Sequence, residues 1–166
     1  MPDNVITGPE MSVEMAEQSA INRLIHASAR YLDDHEFQAY LDLYREEGVY
    51  SIVTKAPELP EPMIWMQRSR AELQERISAM SEHEWEIAGV EQTRVVSVDI
   101  VEVNGATADT SSSFALYHTG QEGLTSCYAV GRYDDRWEKA ADTWKLGSRR
   151  VMLKTRQLGM LSPLPI

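Results

Sequence analysis

The fold is decided by residues 93–118, which read TRVVSVDIVEVNGATADTSSSFALYH. Apolar and polar side chains alternate from Val96 to Ile100, and this period of two predicts a β-strand with one buried face. The dipeptide Asn104-Gly105 is favoured in type I′ hairpin turns. A second strand is expected after it, from about Thr107 to His118. This stretch therefore predicts an antiparallel hairpin of two long strands.

Two of the predicted strands change phase along their length. Val101 and Val103 carry the apolar pattern on the parity opposite to that of Val96–Ile100. The last predicted strand shows a similar change between Leu146 and Val151. A change of parity marks a β-bulge, and bulges bend a strand. Long strands with bulges predict a strongly curved sheet.

Further strands are predicted on both sides of this hairpin. Residues Leu124–Trp137 and Thr143–Gln157 alternate in the same way and predict two more long antiparallel strands. Upstream, the β-branched segment Val49–Thr54 predicts one short strand. The three prolines in residues 55–63 predict an extended surface loop after that strand.

Three helices are predicted in the first half of the chain. In the range Val13–Leu32, apolar residues recur at spacings of three and four, as on one face of a helix. Asp33 is expected to cap a second helix, with Glu36 completing a capping box. Ser69 and Glu72 match the same pattern at the start of a third helix.

This order of elements predicts an α+β fold, in which a cone-shaped, curved antiparallel sheet is closed by the N-terminal helices. In this arrangement the apolar faces of the helices pack against the apolar face of the sheet. Residues 1–12 contain two prolines and one glycine without a periodic pattern, and we interpret them as an N-terminal arm. Residues 13–166 are expected to form a single cone-fold domain.

The composition restricts the class of protein. The chain of 166 residues has 16 basic and 26 acidic side chains and a formal charge of -10, which disfavours binding to nucleic acid or anionic lipid. It has no apolar run as long as a membrane span, and its N-terminus lacks the basic and apolar regions of a signal peptide. We therefore expect a cytoplasmic protein that does not bind membranes.

Cysteine and histidine usage argues against a metal centre on this chain. Cys127 is the only cysteine, so neither an intrachain disulfide nor an iron–sulfur cluster is expected, and we interpret it as a buried apolar side chain. The four histidines do not stand at metal-ligand spacing. His118 shares the parity of Phe114 and Leu116, so it is expected either in the concavity or at a subunit seam.

Motifs for nucleophilic or nucleotide chemistry are also missing from the sequence. It contains no GxSxG motif and no glycine-rich phosphate loop. Asp99 and Asp109 are the carboxylates on predicted strands, and their parity is opposite to that of the main apolar positions. Both are therefore expected on the outside of the sheet rather than in an acid–base site.

Aromatic and basic residues are the remaining conspicuous set. Tryptophan and arginine are enriched at protein interfaces. Arg149 and Arg150 place one cation on each face of the last strand, so at least one must meet a carboxylate or another subunit. The candidates for subunit contacts are Trp85, Arg94, His118, Arg132, Trp137, Trp144, Arg149 and Arg150. The apolar, proline-rich segment 160–166, MLSPLPI, is expected to pack on a neighbouring subunit.

Several stretches between about residues 18 and 158 match one family in order and spacing. They are ARYLDDHEFQAYLDLYREEGVYSI, RAELQERISAM followed by Trp85, TRVVSVDI, AVGRYDDRWEK and TWKLGSRRVMLKT. In these stretches the chain resembles the small (β) subunits of aromatic-ring-hydroxylating dioxygenases, which have the nuclear-transport-factor-like, SnoaL-like cone fold. Where many members carry a Ser-Arg-Thr-Arg-His type segment, this chain retains only Thr93 and Arg94.

The resemblance implies a structural β subunit in a multicomponent Rieske oxygenase that degrades aromatic compounds. Three α subunits would assemble with three β subunits, and the Rieske iron–sulfur cluster and the mononuclear iron would lie on the α subunit. No catalytic, cofactor-binding or metal-binding residue is then expected on this chain. The complex would insert oxygen atoms from dioxygen into an aromatic ring with electrons from NADH.

Two other functions stay open on the residues alone. A free-standing cone-fold isomerase or dehydratase would use pocket residues such as Tyr31, Asp34, Tyr50 or His118. The same cone could instead serve as a small-ligand binding module. A deep pocket with a buried carboxylate or histidine of shifted pKa would favour the enzyme, whereas an interior filled by side chains would favour the subunit.

Overall fold

The structure, a computed structural model, describes residues 8–80, 89–158 and 164–166. In these residues, three helices and six strands follow one another in the order α1 (Gly8–Asp33), α2 (Phe37–Leu41), β1 (Tyr44–Thr54), β2 (Met63–Ser69), α3 (Arg70–Ser78), β3 (Val90–Asn104), β4 (Thr107–Gly120), β5 (Thr125–Ala140) and β6 (Thr143–Leu153). Among the described residues, the elements that follow α3 are all strands. The predicted α+β class is therefore confirmed.

All six strands form one sheet in the order β2-β1-β6-β5-β4-β3. Strand β1 runs parallel to β6, and the other neighbouring pairs are antiparallel. The sheet is therefore mixed rather than purely antiparallel. No tight hairpin joins β1 to β6, because α3 and four strands lie between them in sequence, so their relative direction is not set by a turn.

The two predicted bulges are both present. In β3 the register with β4 shifts at Asp99. In β6 the register with β5 shifts at Gly147, between Leu146 and Val151, where the parity of the sequence changes. Each bulge adds one unpaired residue and bends its strand, so both contribute to the curvature that the sequence predicts.

The predicted hairpin joins β3 to β4, but with a different turn. Asn104 pairs with Thr107, so the turn centres on Gly105 and Ala106. Of these two residues only Gly105 has a positive φ, at 65°. A type I′ turn needs a positive φ at both central residues, so the expected turn type is wrong. Asn104 ends the strand and does not occupy the turn.

The boundary between α1 and α2 differs from the prediction. Helix α1 begins at Gly8, so residues 8–12 of the expected arm are helical, and it runs through Asp33. Glu36 precedes α2 and makes no side-chain capping hydrogen bond. The Asp33 carboxylate instead accepts hydrogen bonds from Arg94. A charge-assisted bond to a buried guanidinium is stronger than a bond to the backbone of a one-turn helix, so the capping box does not form.

Strand β2 and helix α3 follow the proline-rich loop. The predicted capping box of α3 is confirmed, because Ser69 and Glu72 exchange hydrogen bonds between side chain and backbone. The sequence pattern does not reveal β2, since Met63, Ile64 and Trp65 are three consecutive exposed apolar residues without alternation. As the edge of the sheet, β2 pairs only with β1.

Helix α1 covers the buried face of the sheet. Its stripe of Ile21, Ile25 and Leu32 is buried in one cluster with Leu146 and Val151 of β6. Removal of this apolar surface from water is the main force that holds the helix on the sheet. Within the described ranges, no helix has the length and apolarity needed to cross a membrane.

Candidate functional site

The buried face of the sheet, here called the interior, is lined by polar as well as apolar side chains. The buried polar side chains on this side are Ser28, Tyr40, Tyr44, Tyr50, Thr54, Gln92, Arg94, Thr110, Ser112, Tyr133, Asp135 and Arg149. Acid–base catalysis in a cone would depend on titratable groups of this kind. Their pairing therefore decides what the interior can do.

Arg149 on β6 and Asp135 on β5 form a buried ion pair. The Nε and Nη2 atoms of Arg149 donate to the two carboxylate oxygens at 2.9 and 2.7 Å, and Nη1 donates to Ser28 on α1 at 3.0 Å. Burial opposes the charged guanidinium, but Asp135 outweighs it and raises the pKa of Arg149 well above its ordinary value. Burial raises the pKa of Asp135 against the opposing effect of Arg149. With both oxygens engaged, Asp135 is not free to take a proton from a ligand.

Four tyrosines line the same interior. The hydroxyls of Tyr40 and Tyr44 lie 2.9 Å apart. Burial is the main cause that raises the pKa of Tyr40, Tyr44 and Tyr50 above the ordinary value. It raises the pKa of Tyr133 to about 12. These phenols are therefore neutral at physiological pH and cannot act as general bases.

Residues 164–166 enter the interior of their own chain. Leu164 and Ile166 are 3% and 4% exposed, and Pro165 between them is buried. Arg94 Nη2 donates to the Pro165 carbonyl at 2.7 Å, and the Ile166 N–H donates to the Tyr50 hydroxyl at 2.9 Å. The expectation that this segment packs on a neighbouring subunit is wrong for residues 164–166. An apolar pattern predicts burial, but it does not say against which surface.

A hydrogen-bond network connects α1 to β4 through Arg94. The Arg94 backbone N–H and Nη1 donate to the Asp33 carboxylate at 2.8 and 2.5 Å. Nη2 also donates to Gln92 Oε1 at 2.9 Å, and Gln92 Nε2 lies 3.2 Å from His118 Nε2. The Arg94 side chain is fully buried, so Asp33 replaces water as the partner of its charge.

His118 lies at the half-buried end of this network. Strand alternation places it on the interior face of β4, the same face as Leu116, and its ring stacks on Tyr128 with centroids 4.0 Å apart. Burial, and secondarily Arg94, lower the pKa of His118 below 6.5. His118 is therefore mainly neutral at pH 7. His118 thus lies on the interior side of the sheet, as one of its two expected positions requires, and its contact with another subunit stays a prediction.

The eight residues predicted at subunit contacts occupy three kinds of environment. Arg94, Trp137, Trp144 and Arg149 are buried within the chain, and the two indole N–H groups donate to Thr110 at 3.0 Å and to Glu17 at 2.5 Å, respectively. His118 is half-buried, and Arg132 and Arg150 are exposed. Trp85 lies outside the described residues. The buried four are thus engaged in contacts within the chain, whereas the two exposed arginines lie at the surface, where a partner can reach them.

The exposed side of β3–β6, here called the outer face, contains a short apolar row. Val95, Ala115 and Val130 are adjacent in the register of β3, β4 and β5. Val95 and Val130 are among the exposed large apolar side chains of the chain. Arg132 and Arg150 lie on the same face by strand alternation. The outer face therefore combines apolar and cationic groups, as protein interfaces do.

Charged residues on the outer face mostly pair with one another. Arg132 donates to Asp134 at 2.7 Å, and Arg136 pairs with Asp109. Asp109, like Asp99, is exposed, as predicted from its parity. Arg150 makes no hydrogen bond or ion pair with any of the residues that the structure describes.

Cys127 is exposed, which corrects the expectation that it is buried. Leu116 pairs with Ala129, but Tyr117 pairs with Cys127, so Tyr128 is an extra residue in β5. The bulge reverses the alternation of side chains in this part of the strand. Cys127 therefore points to the side opposite to buried Ala129, although the two residues are two positions apart, a spacing that normally places side chains on the same face of a strand.

The pocket residues considered for an enzyme have separate roles. Tyr50 is fully buried and accepts the Ile166 N–H, whereas Asp34 is exposed and Tyr31 is half-buried. In the part of the chain that the structure describes, no three His, Cys, Asp or Glu side chains are grouped so that they could hold a metal ion.

The chain matches one known protein family over most of its length. Residues 13–150 match the SnoaL-like domain. The chain belongs to the SnoaL-like family. This SnoaL-like chain is 24% identical over 147 residues to 2-aminobenzenesulfonate 2,3-dioxygenase subunit beta from an Alcaligenes species, with 89% of this chain and 97% of that protein covered. It is 26% identical over 156 residues to methanesulfonate monooxygenase hydroxylase subunit beta from Methylosulfonomonas methylovora, covering 89% and 86%.

Solved structures confirm the fold of this SnoaL-like chain. A chain from Novosphingobium aromaticivorans, described as the beta subunit of an aromatic-ring-hydroxylating dioxygenase, superposes with a TM-score of 0.76 at 24% identity, covering 90% of this chain and 96% of that one. An NTF2-like protein with a cystatin-like fold from the same organism has a TM-score of 0.66 at 16% identity, covering 94% of each chain. The predicted nuclear-transport-factor-like fold is confirmed.

Sequence reasoning missed Asp135 as an interior residue of this SnoaL-like domain. A signal for it exists, because Asp134 and Asp135 are adjacent on β5 and lie opposite Arg150 and Arg149 on β6. Two adjacent acids facing two adjacent bases on neighbouring strands place one complementary pair on each face of the sheet. Because one face of the sheet is buried, the acid–base pair on that face is buried with it.

Proposed function

We propose that this chain is the non-catalytic β subunit of a multicomponent Rieske aromatic-ring-hydroxylating dioxygenase. The observation that carries the proposal is the pairing of the interior charges, Arg149 with Asp135 and Arg94 with Asp33, together with the burial of residues 164–166 against Tyr50. Charged groups that are buried and paired with one another are not available for acid–base catalysis, so the proposal assigns the function to the surface of the chain. The two oxygenase β subunits and the solved chain described above support the same role.

The proposed partner is an α subunit, with three α and three β subunits in the complex. The Rieske cluster and the mononuclear iron would lie on the α subunit, and this chain would supply no ligand to either. Its contribution would be to hold the α subunits in place, in the cytoplasm, so that electrons reach the iron that reacts with dioxygen.

The outer face is the contact surface that we propose. Val95 and Val130 supply exposed apolar area, and Arg150 supplies a cation without a partner in the described part of the chain. An apolar centre with arginine beside it is typical of protein interfaces. Exposed Ile64 and Trp65 on the edge strand β2 offer a second apolar area.

The substrate class follows from the α subunit rather than from this chain. Both named relatives are subunits of enzymes whose names specify organic sulfonates. Monocyclic aromatic sulfonates therefore belong in the first panel of substrates, beside monocyclic aromatic carboxylates.

Co-expression with the α-subunit gene from the same genomic neighbourhood tests the proposal. The tagged chain is expected to elute together with a large subunit that shows the visible absorbance of a Rieske cluster. With a reductase and NADH, oxygen-dependent hydroxylation is expected only when both subunits are present. The matched controls are the α subunit alone and this chain alone.

Two results would contradict the proposal. The first is that the α subunit and this chain elute separately at micromolar concentration and low salt. The second is that the purified chain alone converts a small molecule, which would favour the cone-fold isomerase or dehydratase instead.

A further inference from the structure

The peptide group between Pro165 and Ile166 is bound at both of its polar atoms. Its carbonyl oxygen accepts from Arg94 Nη2 at 2.7 Å, and its N–H donates to the Tyr50 hydroxyl at 2.9 Å. The side chains of Arg94 and Tyr50 are both 0% exposed. A buried donor and a buried acceptor at the two ends of one secondary amide select that group, because an ester or a tertiary amide leaves the acceptor unpaired.

Apolar surroundings complete the recognition of this segment. Ile166 belongs to the main buried cluster of the chain, together with Tyr50 and Leu153. Leu164 is also buried. The side chains of Leu164 and Ile166 thus contribute apolar contact area, and the hydrogen bonds of the Pro165–Ile166 amide fix the orientation of the segment. Pockets that bind small ligands combine apolar and polar contacts in the same way.

The charges of the interior favour a neutral ligand. Arg94 is paired with Asp33, and Arg149 is paired with Asp135, so neither cation is available to a carboxylate. The interior tyrosines remain protonated because burial raises their pKa. A charged ligand would lose its hydration here without gaining an opposite charge.

One donor in this region is not used by residues 164–166. Arg94 Nε is buried and has no hydrogen-bond partner in the described residues. A buried N–H without an acceptor is unfavourable, so the chain's own segment does not satisfy every group that surrounds it. The Arg94 Nε donor is therefore available to an acceptor that residues 164–166 do not supply.

We propose that the region around Arg94 and Tyr50 is a binding site for a short, neutral, apolar peptide, and that residues 164–166 occupy it as an exchangeable internal ligand. The site recognises one secondary amide through its carbonyl oxygen and its N–H, and it holds branched apolar side chains on either side. This property goes beyond the assembly role proposed above and concerns the isolated chain.

A peptide supplied in solution tests the site. The host is the variant Leu164→Ser/Ile166→Ser, in which the internal ligand is weakened, and the probe is the peptide SPLPI, the sequence of residues 162–166, blocked at both ends. Calorimetric titration is expected to show saturable binding with one site per chain. The unsubstituted chain, whose site is filled, is expected to bind the same peptide at least about tenfold more weakly.

The amide contact is isolated by a matched probe. A second peptide replaces the amide between its last two residues by an ester, which keeps the carbonyl oxygen but removes the N–H. It is expected to bind about tenfold more weakly than the amide peptide, as for loss of one buried hydrogen bond. Adding Tyr50→Phe to the host is expected to reduce the difference to about threefold or less, because the acceptor is then absent from the protein.

Three results would overturn the proposal: absence of binding to a folded host, equal affinity for amide and ester peptides when Tyr50 is present, or equal affinity of the host and the unsubstituted chain. If the double variant does not fold, the milder Ile166→Ala variant takes its place. Amide hydrogen exchange in the otherwise unsubstituted chain gives an independent measurement, in which Tyr50→Phe must accelerate exchange of the Ile166 N–H at least about tenfold. Each experiment uses the isolated chain, so its failure leaves the oxygenase assignment unaffected.

Discussion

Arg149 and Asp135 face each other on neighbouring strands of the sheet and form two parallel hydrogen bonds of 2.9 and 2.7 Å. Their side chains are 1% and 0% exposed. A planar guanidinium matches a carboxylate in this geometry, and Ser28 of α1 receives a third N–H. The pair therefore joins β5, β6 and the covering helix by charge as well as by apolar packing.

Removing one partner of this pair is expected to destabilise the fold strongly. Arg149→Met leaves the Asp135 carboxylate buried without a cation, and we expect the free energy of unfolding to fall by about 3–5 kcal/mol. Urea denaturation followed by circular dichroism measures this change. Arg132→Met removes the exposed pair with Asp134 as the control, and it is expected to change stability by less than about 1 kcal/mol. Equal effects of the two substitutions would show that burial does not decide the strength of the pair.

Gly131 on β5 is expected to reject any side chain. A Cβ atom at this position would lie directly against the backbone carbonyl of Met152 and 3.0 Å from the Phe114 ring. We expect Gly131→Ala to lower the free energy of unfolding by about 1–3 kcal/mol through overpacking. Gly120→Ala is the matched control, because the nearest atom to a Cβ there is the Leu124 carbonyl oxygen at 4.0 Å. Equal midpoints of thermal unfolding for the two variants would contradict this prediction.

His118 is expected to make stability depend on pH in the acidic range. Burial and Arg94 lower its pKa below 6.5, so between that lowered pKa and 6.5 the unfolded chain binds more protons than the folded chain. The stabilisation that the neutral His118 ring contributes is therefore fully present above pH 6.5. It is lost as the pH falls through the pKa that His118 has in the folded chain.

The measurement is the free energy of unfolding between about pH 7 and pH 5. His118→Phe keeps a ring next to Tyr128 but cannot be protonated, so its stability is expected to fall less over this range than that of the unsubstituted chain. His26→Phe, an exposed position on α1, is the control. Parallel pH profiles for the unsubstituted chain and His118→Phe would rule out His118 as the source of the effect.

Arg150 is expected to act in assembly and not in folding. Its side chain is exposed on β6 and has no partner in the described residues, so Arg150→Ala should leave the circular dichroism spectrum and the midpoint of unfolding unchanged. Co-purification with the α subunit is expected to decrease several-fold, because Arg150 lies on the proposed contact surface. Arg23→Ala, on the exposed side of α1, is the matched control for loss of one surface cation. An unchanged yield of complex for Arg150→Ala would exclude this residue from the contact.

Much of the fold could be predicted from local sequence patterns. The alternation that breaks at Val101, the glycine in the β3–β4 turn and the capping box at Ser69 all correspond to observed elements. These features depend on neighbours in the chain, so a sequence contains the information directly. Strand β2 is the exception, because an edge strand with exposed apolar residues shows no alternation.

The candidate site is less predictable from the sequence, because its contacts join distant parts of the chain. The local pattern at Asp33 is typical of a helix cap, yet its carboxylate binds Arg94, 61 positions away. The apolar pattern around Ile166 is typical of an interface, yet its N–H donates to Tyr50, 116 positions away. Local patterns predict that such groups need partners, but only the packing of the elements selects which partners come within reach.

The sequence by itself determined the order of the elements other than β2, the bends of the long strands and the α+β class, because periodicity, turn residues and bulges are local properties of a chain. The tertiary structure alone decided that four of the eight predicted contact residues are buried in the chain and that residues 164–166 are buried in the interior. Burial is a property of the whole assembly of helices and sheet. The sequence does not distinguish an arginine or an isoleucine that faces water from one that faces a neighbouring subunit or the core of its own chain.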